Sequence, residues 1–117
     1  MKITIHRGTD QIGGCVTEYE HEGWKLFVDY GEQLPGVPKS NLLDIAGLTK
    51  GDITKSALLI THYHGDHIGC ISQLPKELPM YMGELGREIQ LVYSKRMSKV
   101  DNKQAIFIER LNAAKVF

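Results

Sequence analysis

The run Ala57-Leu58-Leu59-Ile60-Thr61 passes without a break into His62-Tyr63-His64-Gly65-Asp66-His67, and this junction constrains the chain more than any other feature. An apolar run with no alternation suits a strand covered on both faces. Four metal-competent side chains then fall within six residues: His62, His64, Asp66 and His67. Alternate residues of an extended segment point the same way, so His62 and His64 can pinch one ion between their imidazoles. Gly65 lets the backbone turn sharply. Asp66 and His67, adjacent and at a helix start, project differently and can serve a second ion nearby. Imidazole and carboxylate donors without thiolate suit zinc and tolerate manganese or iron, so ligand type leaves the metal open. The plain alternative, polar loop residues at a strand end, fits a lone histidine better than four ligand-bearing residues packed this densely.

The segments around the junction read as an α/β pattern. Ile3 and Ile5 alternate with Lys2, Thr4 and His6 as in a half-buried strand, and Gly8, Gly13 and Gly14 supply turns. Two further strands, Cys15 to Glu20 and Trp24 to Tyr30, are joined at His21-Glu22-Gly23, where glycine permits a tight hairpin. In the second, Trp24, Leu26, Val28 and Tyr30 are expected on one face. A loop follows from Gly31 to Lys39, and Ser40 can cap a short helix carrying Leu42, Leu43, Ile45 and Ala46 until Gly47. After the junction the pattern predicts a helix from Ile68 to Leu74 ended by Pro75, and a short strand from Pro79 to Met82. A helix with a stripe of Leu85, Ile89 and Val92 comes next, then another from Gln104 to Leu111, and Val116 and Phe117 open a strand.

Composition narrows the class. With 117 residues, 42% of them hydrophobic and 24% charged, the chain can build one core and is not disordered. Fourteen basic and fourteen acidic residues cancel, so no overall positive field advertises nucleic acid or an anionic membrane. Cys15 and Cys70 lie far apart, which argues against a disulfide framework and a thiolate metal site and fits a reducing compartment. No stretch is long and apolar enough for a membrane span, and the reading is cytoplasmic.

THYHGDHIG resembles the His-x-His-x-Asp-His signature of the metallo-β-lactamase superfamily, and the Gly-rich N-terminal strand pair and LFVDYG match its context. RGTDQIGGCVTEYE followed by LFVDYGEQLPG looks most like the ribonuclease J-like branch. The resemblance implies a metal-dependent hydrolase in which His62 and His64 bind one zinc ion and Asp66 and His67 a second, with manganese or iron as other candidates. It implies a metal-bound hydroxide as nucleophile, with Asp66 orienting it as the catalytic group. Asp29 matches a family aspartate that organises the site by hydrogen-bonding a ligand or the motif loop. An ordinary turn former at a strand end is the equal alternative for Asp29. The implied fold is half of a four-layer αββα sandwich, a mixed sheet with helices on one face, with residues 1–117 as the N-terminal part of the domain.

The family completes its site with a further histidine, a bridging aspartate and a final histidine. After His67 this sequence contains no histidine, and its one later aspartate, Asp101, stands between two predicted helices. His6 and His21 precede the motif on strand and turn segments. Two protein ligands per metal hold an ion loosely, so turnover by the chain alone is doubtful. Three readings follow. The first is a hydrolase with an incomplete binuclear site, acting on a small molecule or a phosphodiester. The second is a non-catalytic metal-binding or interaction module that assembles with another chain. The third is a ribonuclease when full length. A sheet lacking its second half would leave an apolar face open to self-association. Lys95, Arg96, Lys99 and Lys103 form a modest basic cluster, a solvated face by default and an RNA contact as the lesser reading.

Overall fold

The computed structural model describes residues 1–36, 43–97 and 101–117. Among these residues six strands form one sheet in sequence order: β1 (Lys2–Arg7), β2 (Val16–His21), β3 (Trp24–Val28), β4 (Ser56–Leu59), β5 (Met80–Met82) and β6 (Lys115–Val116). The first three pair antiparallel and the last four parallel, so the sheet is mixed and changes sense at β3. The hairpin between β2 and β3 turns through Glu22 at φ 49° and Gly23 at φ 80°, two consecutive left-handed residues as a two-residue hairpin requires. Parallel strands need crossovers. The one from β4 to β5 contains the motif as α1 (Gly65–Ile68) and a 3-10 turn (Ile71–Gln73). The one from β5 to β6 is α2 (Glu84–Met97) followed by α3 (Asn102–Ala113).

Both crossovers pack on one face of the sheet. There Phe27, Leu58, Ile60, Met80 and Met82 meet Ile68, Ile71, Leu91, Phe107 and Leu111, all buried. Each such side chain removed from water contributes about 1.5–3 kcal/mol. Arg110, buried near the end of α3, donates to the carbonyls of Lys76 and Leu78 and so ties that helix to the approach of β5.

The other face is open. The register aligns Ile3, Tyr19, Leu26 and Ala57 in one row across four strands, and Ile5, Thr17, Val28 and Leu59 in the next. Ile3 is 58% exposed and Trp24 61%. The apolar alternation of β1 and β3 marks the open face, and Phe27, from the opposite row, is the core residue of β3. Two expectations are corrected here. Tyr30 lies past the end of β3 and is buried. The β4 segment is fully buried at Leu58 and Ile60 but only half-buried at Ala57 and Leu59, so one of its two faces is covered.

The helices also depart from the periodicity. The stripe on α2 faces solvent, with Leu85 73% exposed, while Leu91 and Ser94 are buried. The helix expected before Gly47 is absent over its described part. There Ile45 donates its backbone N–H to Thr49 Oγ1 at 2.8 Å, a local bond that competes with helix formation. Ser40 and Leu42 lie outside the described residues, as does Lys99.

Candidate metal centre

The motif occupies the turn that leaves the carboxyl end of β4, and main-chain bonds from the segment after β3 shape that turn. Tyr30 donates its N–H to the carbonyl of His67 at 2.9 Å, and Glu32 donates to Gly65 at 3.0 Å. Cys15 donates to the Asp66 carbonyl at 3.3 Å, and Cys70 to that of Tyr30 at 3.1 Å. These bonds explain why the helix predicted from Ile68 to Leu74 breaks. A continuous helix would need the carbonyls of Asp66 and His67 for Cys70 and Ile71, and both are already taken. Gly31 permits the approach, since a Cβ there would overlap the Asp66 carbonyl. Arg7 fastens the other side, donating to the carbonyls of Gly14 at 2.6 Å and Gly31 at 2.7 Å. Gly13 and Gly14, at φ 83° and 66°, make the turn beside it, which is the structural role expected of them.

Asp29 is the hub of the side-chain arrangement. It sits past the end of β3 at φ 64°, a left-handed conformation that aspartate tolerates better than most residues, and it is buried. Its Oδ1 accepts from the Thr61 backbone N–H at 2.8 Å, and both carboxylate oxygens lie within 3.0 Å of Thr61 Oγ1. Its Oδ2 stands 2.7 Å from His67 Nδ1. A carboxylate only accepts, so a proton belongs on Nδ1 of His67, and in the tautomer with that single ring proton the lone pair is on Nε2. Thr61 extends the logic to His62, whose Nδ1 lies 2.9 Å from Thr61 Oγ1. The single hydroxyl proton is directed to Asp29, so Thr61 Oγ1 accepts from His62 Nδ1 and leaves that ring's Nε2 free as well. Thr61 is the residue that sequence reasoning missed. Its role depends on a contact 32 positions away, which no local pattern encodes.

The structure brings the four motif residues together. The His62 ring is 4.0 Å from that of His67 and 4.8 Å from that of His64, centroid to centroid. Asp66 Oδ2 lies 3.4 Å from His67 Nε2. Imidazoles anchored through Nδ1 by a carboxylate network are the arrangement metal-binding histidines usually have, so the donor chemistry fits a transition metal. The count of converging donors falls short. Among the described residues no group of three or more His, Cys, Asp or Glu side chains is gathered closely enough to hold an ion.

The remaining candidates fall elsewhere. His6 is engaged with Glu18 at 2.6 Å, and His21 is exposed at the hairpin. Asp101 caps α3, its Oδ1 accepting from the Gln104 N–H at 2.7 Å. Tyr63 packs edge-on against His64 with ring centroids 4.8 Å apart. Cys15 and Cys70 are free thiols and half-buried, and burial is the main cause pushing both above the usual thiol range. For Cys15 the charges of Asp29 and Asp66 push the same way. No described helix is long and apolar enough to cross a membrane.

No family model matches the chain. Over 83 residues, 68% of its length, it is 36% identical to ribonuclease J of Mycolicibacterium smegmatis. It is 35% identical over the same share to ribonuclease J of Mycobacterium tuberculosis H37Rv. It spans about 15% of the length of these curated relatives. A solved structure of a protein of unknown function from Enterococcus faecalis V583 superposes with a TM-score of 0.71, covering 87% of this chain and 31% of that one at 20% identity, a likeness of fold. The similarity to ribonuclease J, together with the mixed sheet and its helix-covered face, supports the resemblance to the metallo-β-lactamase superfamily drawn from the motif.

Proposed function

We propose that this chain carries the first part of the metal site of a metallo-β-lactamase-fold hydrolase, and that the completed enzyme cleaves RNA phosphodiesters. The single observation that carries the metal reading is the 2.7 Å contact between Asp29 Oδ2 and His67 Nδ1, which presents Nε2 of the ring as a donor. The similarity to ribonuclease J carries the choice of RNA. His62 and His64 would hold one zinc ion and Asp66 and His67 a second, with manganese or iron as substitutes. The remaining ligands would come from groups beyond this set. When bound, the ions supply Lewis acidity at the attacked phosphoryl group and acidify water. Asp29 keeps the proton on Nδ1 of His67, Thr61 does the same for His62, and Asp66 orients the attacking water. The unpaired thiols agree with a cytoplasmic setting.

Elemental analysis after dialysis against metal-free buffer tests the metal reading, with wild type and His62→Ala/His64→Ala side by side. Near-stoichiometric metal that disappears in the double variant is the expected result. A folded wild type that retains none removes the reading. Cleavage of single-stranded RNA by a full-length, metal-loaded form, abolished by His64→Ala, tests the substrate.

The open sheet face and the lack of three gathered donors among the described residues favour a second reading, a metal-binding module without turnover that associates through that face. On this reading the chain sediments as a dimer or larger at micromolar concentration and Leu26→Lys returns it to monomer. Monomeric wild type across that range excludes it.

A further inference from the structure

A cavity of 690 Å3 opens beside His64, between the motif turn on one side and α2 and α3 on the other, within the size range of small-ligand sites. The half-site described above uses none of it beyond His64. Among the described residues its lining carries two carboxylates, Glu32 and Asp101, against one ammonium, Lys103. That balance disfavours a phosphate inside the cavity and favours a group rich in N–H donors.

Glu32 is exposed, yet it is positioned. Its backbone N–H bonds to Gly65, and its side chain lies across the two glycines of the turn. A Cβ on Gly65 would stand 2.6 Å from Glu32 Oε1, and one on Gly69 would stand 2.8 Å from Glu32 Cγ. The missing side chains at 65 and 69 are therefore what lets the carboxylate rest on the cavity wall. On the α2 side Tyr93 lines the same space and is 57% exposed, a large aromatic surface that no neighbour covers well. An exposed tyrosine of this kind offers a stacking platform for a planar ring.

We infer that this cavity takes one nucleobase of an RNA strand whose phosphodiester reaches His64, with Tyr93 stacking on the base and Glu32 accepting from its Watson–Crick edge. The inference rests on the ribonuclease reading and adds a base preference to it. Guanine places two donors, N1–H and N2–H, side by side on that edge, matching the two oxygens of a carboxylate. Adenine, cytosine and uracil each set a single donor group beside acceptors, which a carboxylate repels. Guanine is the preferred base.

The test titrates the 117-residue chain with the 5′-monophosphates of guanosine, adenosine, cytidine and uridine, following its amide resonances. Wild type, Glu32→Gln and Tyr93→Ala are compared, and cleavage of single-stranded RNA by a full-length, metal-loaded form is assayed separately. Both substitutions replace exposed side chains, and the amide spectrum of each variant verifies its fold. Guanosine monophosphate is expected to bind about tenfold more tightly than adenosine monophosphate and to move the Gly65 and Tyr93 signals. Glu32→Gln should bring the two within about threefold, and Tyr93→Ala should weaken all four. The inference is overturned if no mononucleotide moves the cavity signals, or if the guanine preference survives Glu32→Gln. Base binding without RNA cleavage sinks the ribonuclease reading and leaves the cavity's preference standing; cleavage with an empty cavity does the reverse.

Discussion

Asp29 Oδ2 and His67 Nδ1 stand 2.7 Å apart, although 38 positions separate them in the chain. The contact joins the end of β3 to the motif turn and decides which nitrogen of His67 is available. Asp29→Asn keeps the shape and, because asparagine also tolerates the left-handed backbone at φ 64°, keeps the turn. Its amide can donate to Nδ1 and favour the wrong tautomer. Metal retention should fall about 10- to 100-fold while the circular dichroism spectrum is preserved. Equilibrium dialysis with zinc measures it, and unchanged affinity would remove Asp29 from the site.

Thr61 passes the influence of Asp29 to His62 through one hydroxyl. Thr61→Val removes that hydroxyl at nearly constant volume, so the proton on His62 is no longer directed to Nδ1. Nitrogen-15 NMR of the ring should show the Nδ1–H form in wild type, a mixture in the valine variant, and recovery in Thr61→Ser. A ring whose tautomer is the same in all three would show that Thr61 serves packing alone.

Gly31 lies against the Asp66 carbonyl with no room for a side chain. Gly31→Ala forces the 29–32 segment away from the motif turn and breaks main-chain bonds on both. The expected loss is about 3 kcal/mol, the upper part of the range for overpacking, read as a lower urea midpoint. Metal retention should fall with it, since the histidines lose their support.

The strand at 57–61 with its polar exit, the hairpin at 21–23, the short strand at 80–82 and the helix containing Phe107 and Leu111 were all legible in the sequence, because each is fixed by local chemistry. The helical spacing of Leu85, Ile89 and Val92 marked α2, but the stripe points outward. Periodicity finds an apolar stripe, but what α2 packs against decides which side is covered, and that side holds Leu91 and Ser94. The break between Ile68 and Ile71 was equally hidden, since tertiary partners at Cys15 and Tyr30 capture the carbonyls the helix would use. At the site, residue types and spacing exposed His62, His64, Asp66 and His67 as candidates. Thr61 and Gly31 stayed invisible because their roles exist only once β3 and β4 lie side by side.

Glu18 supplies a pH dependence. It is buried between His6 Nε2 at 2.6 Å and Lys25 Nζ at 3.0 Å. Burial alone would raise its carboxyl, but the hydrogen bonds from His6 and Lys25, with the Lys25 charge, outweigh burial and hold it below the ordinary value of 4.5. A carboxyl depressed by folding contributes stability that is present above its unfolded pKa and lost as pH falls through the folded one. The unfolding free energy should therefore decline as pH drops below about 4.5, and Glu18→Gln should flatten that acid limb. Urea titrations from pH 3 to 7, roughly the span over which carboxylates respond, provide the comparison. An acid limb of equal slope in both proteins assigns the effect to other groups.

The turn that carries the histidines is held by main-chain bonds from residues 15, 30 and 32 and to residue 30, and of its ligand candidates His62 and His67 add side-chain bonds to Thr61 and Asp29. The main-chain part of that frame does not depend on which side chains stand at positions 64 and 66. Those two ligand residues can be exchanged, for other metals or for none, without dismantling the loop. A backbone frame of this kind gives an evolving or redesigned protein room to change its chemistry while keeping its geometry.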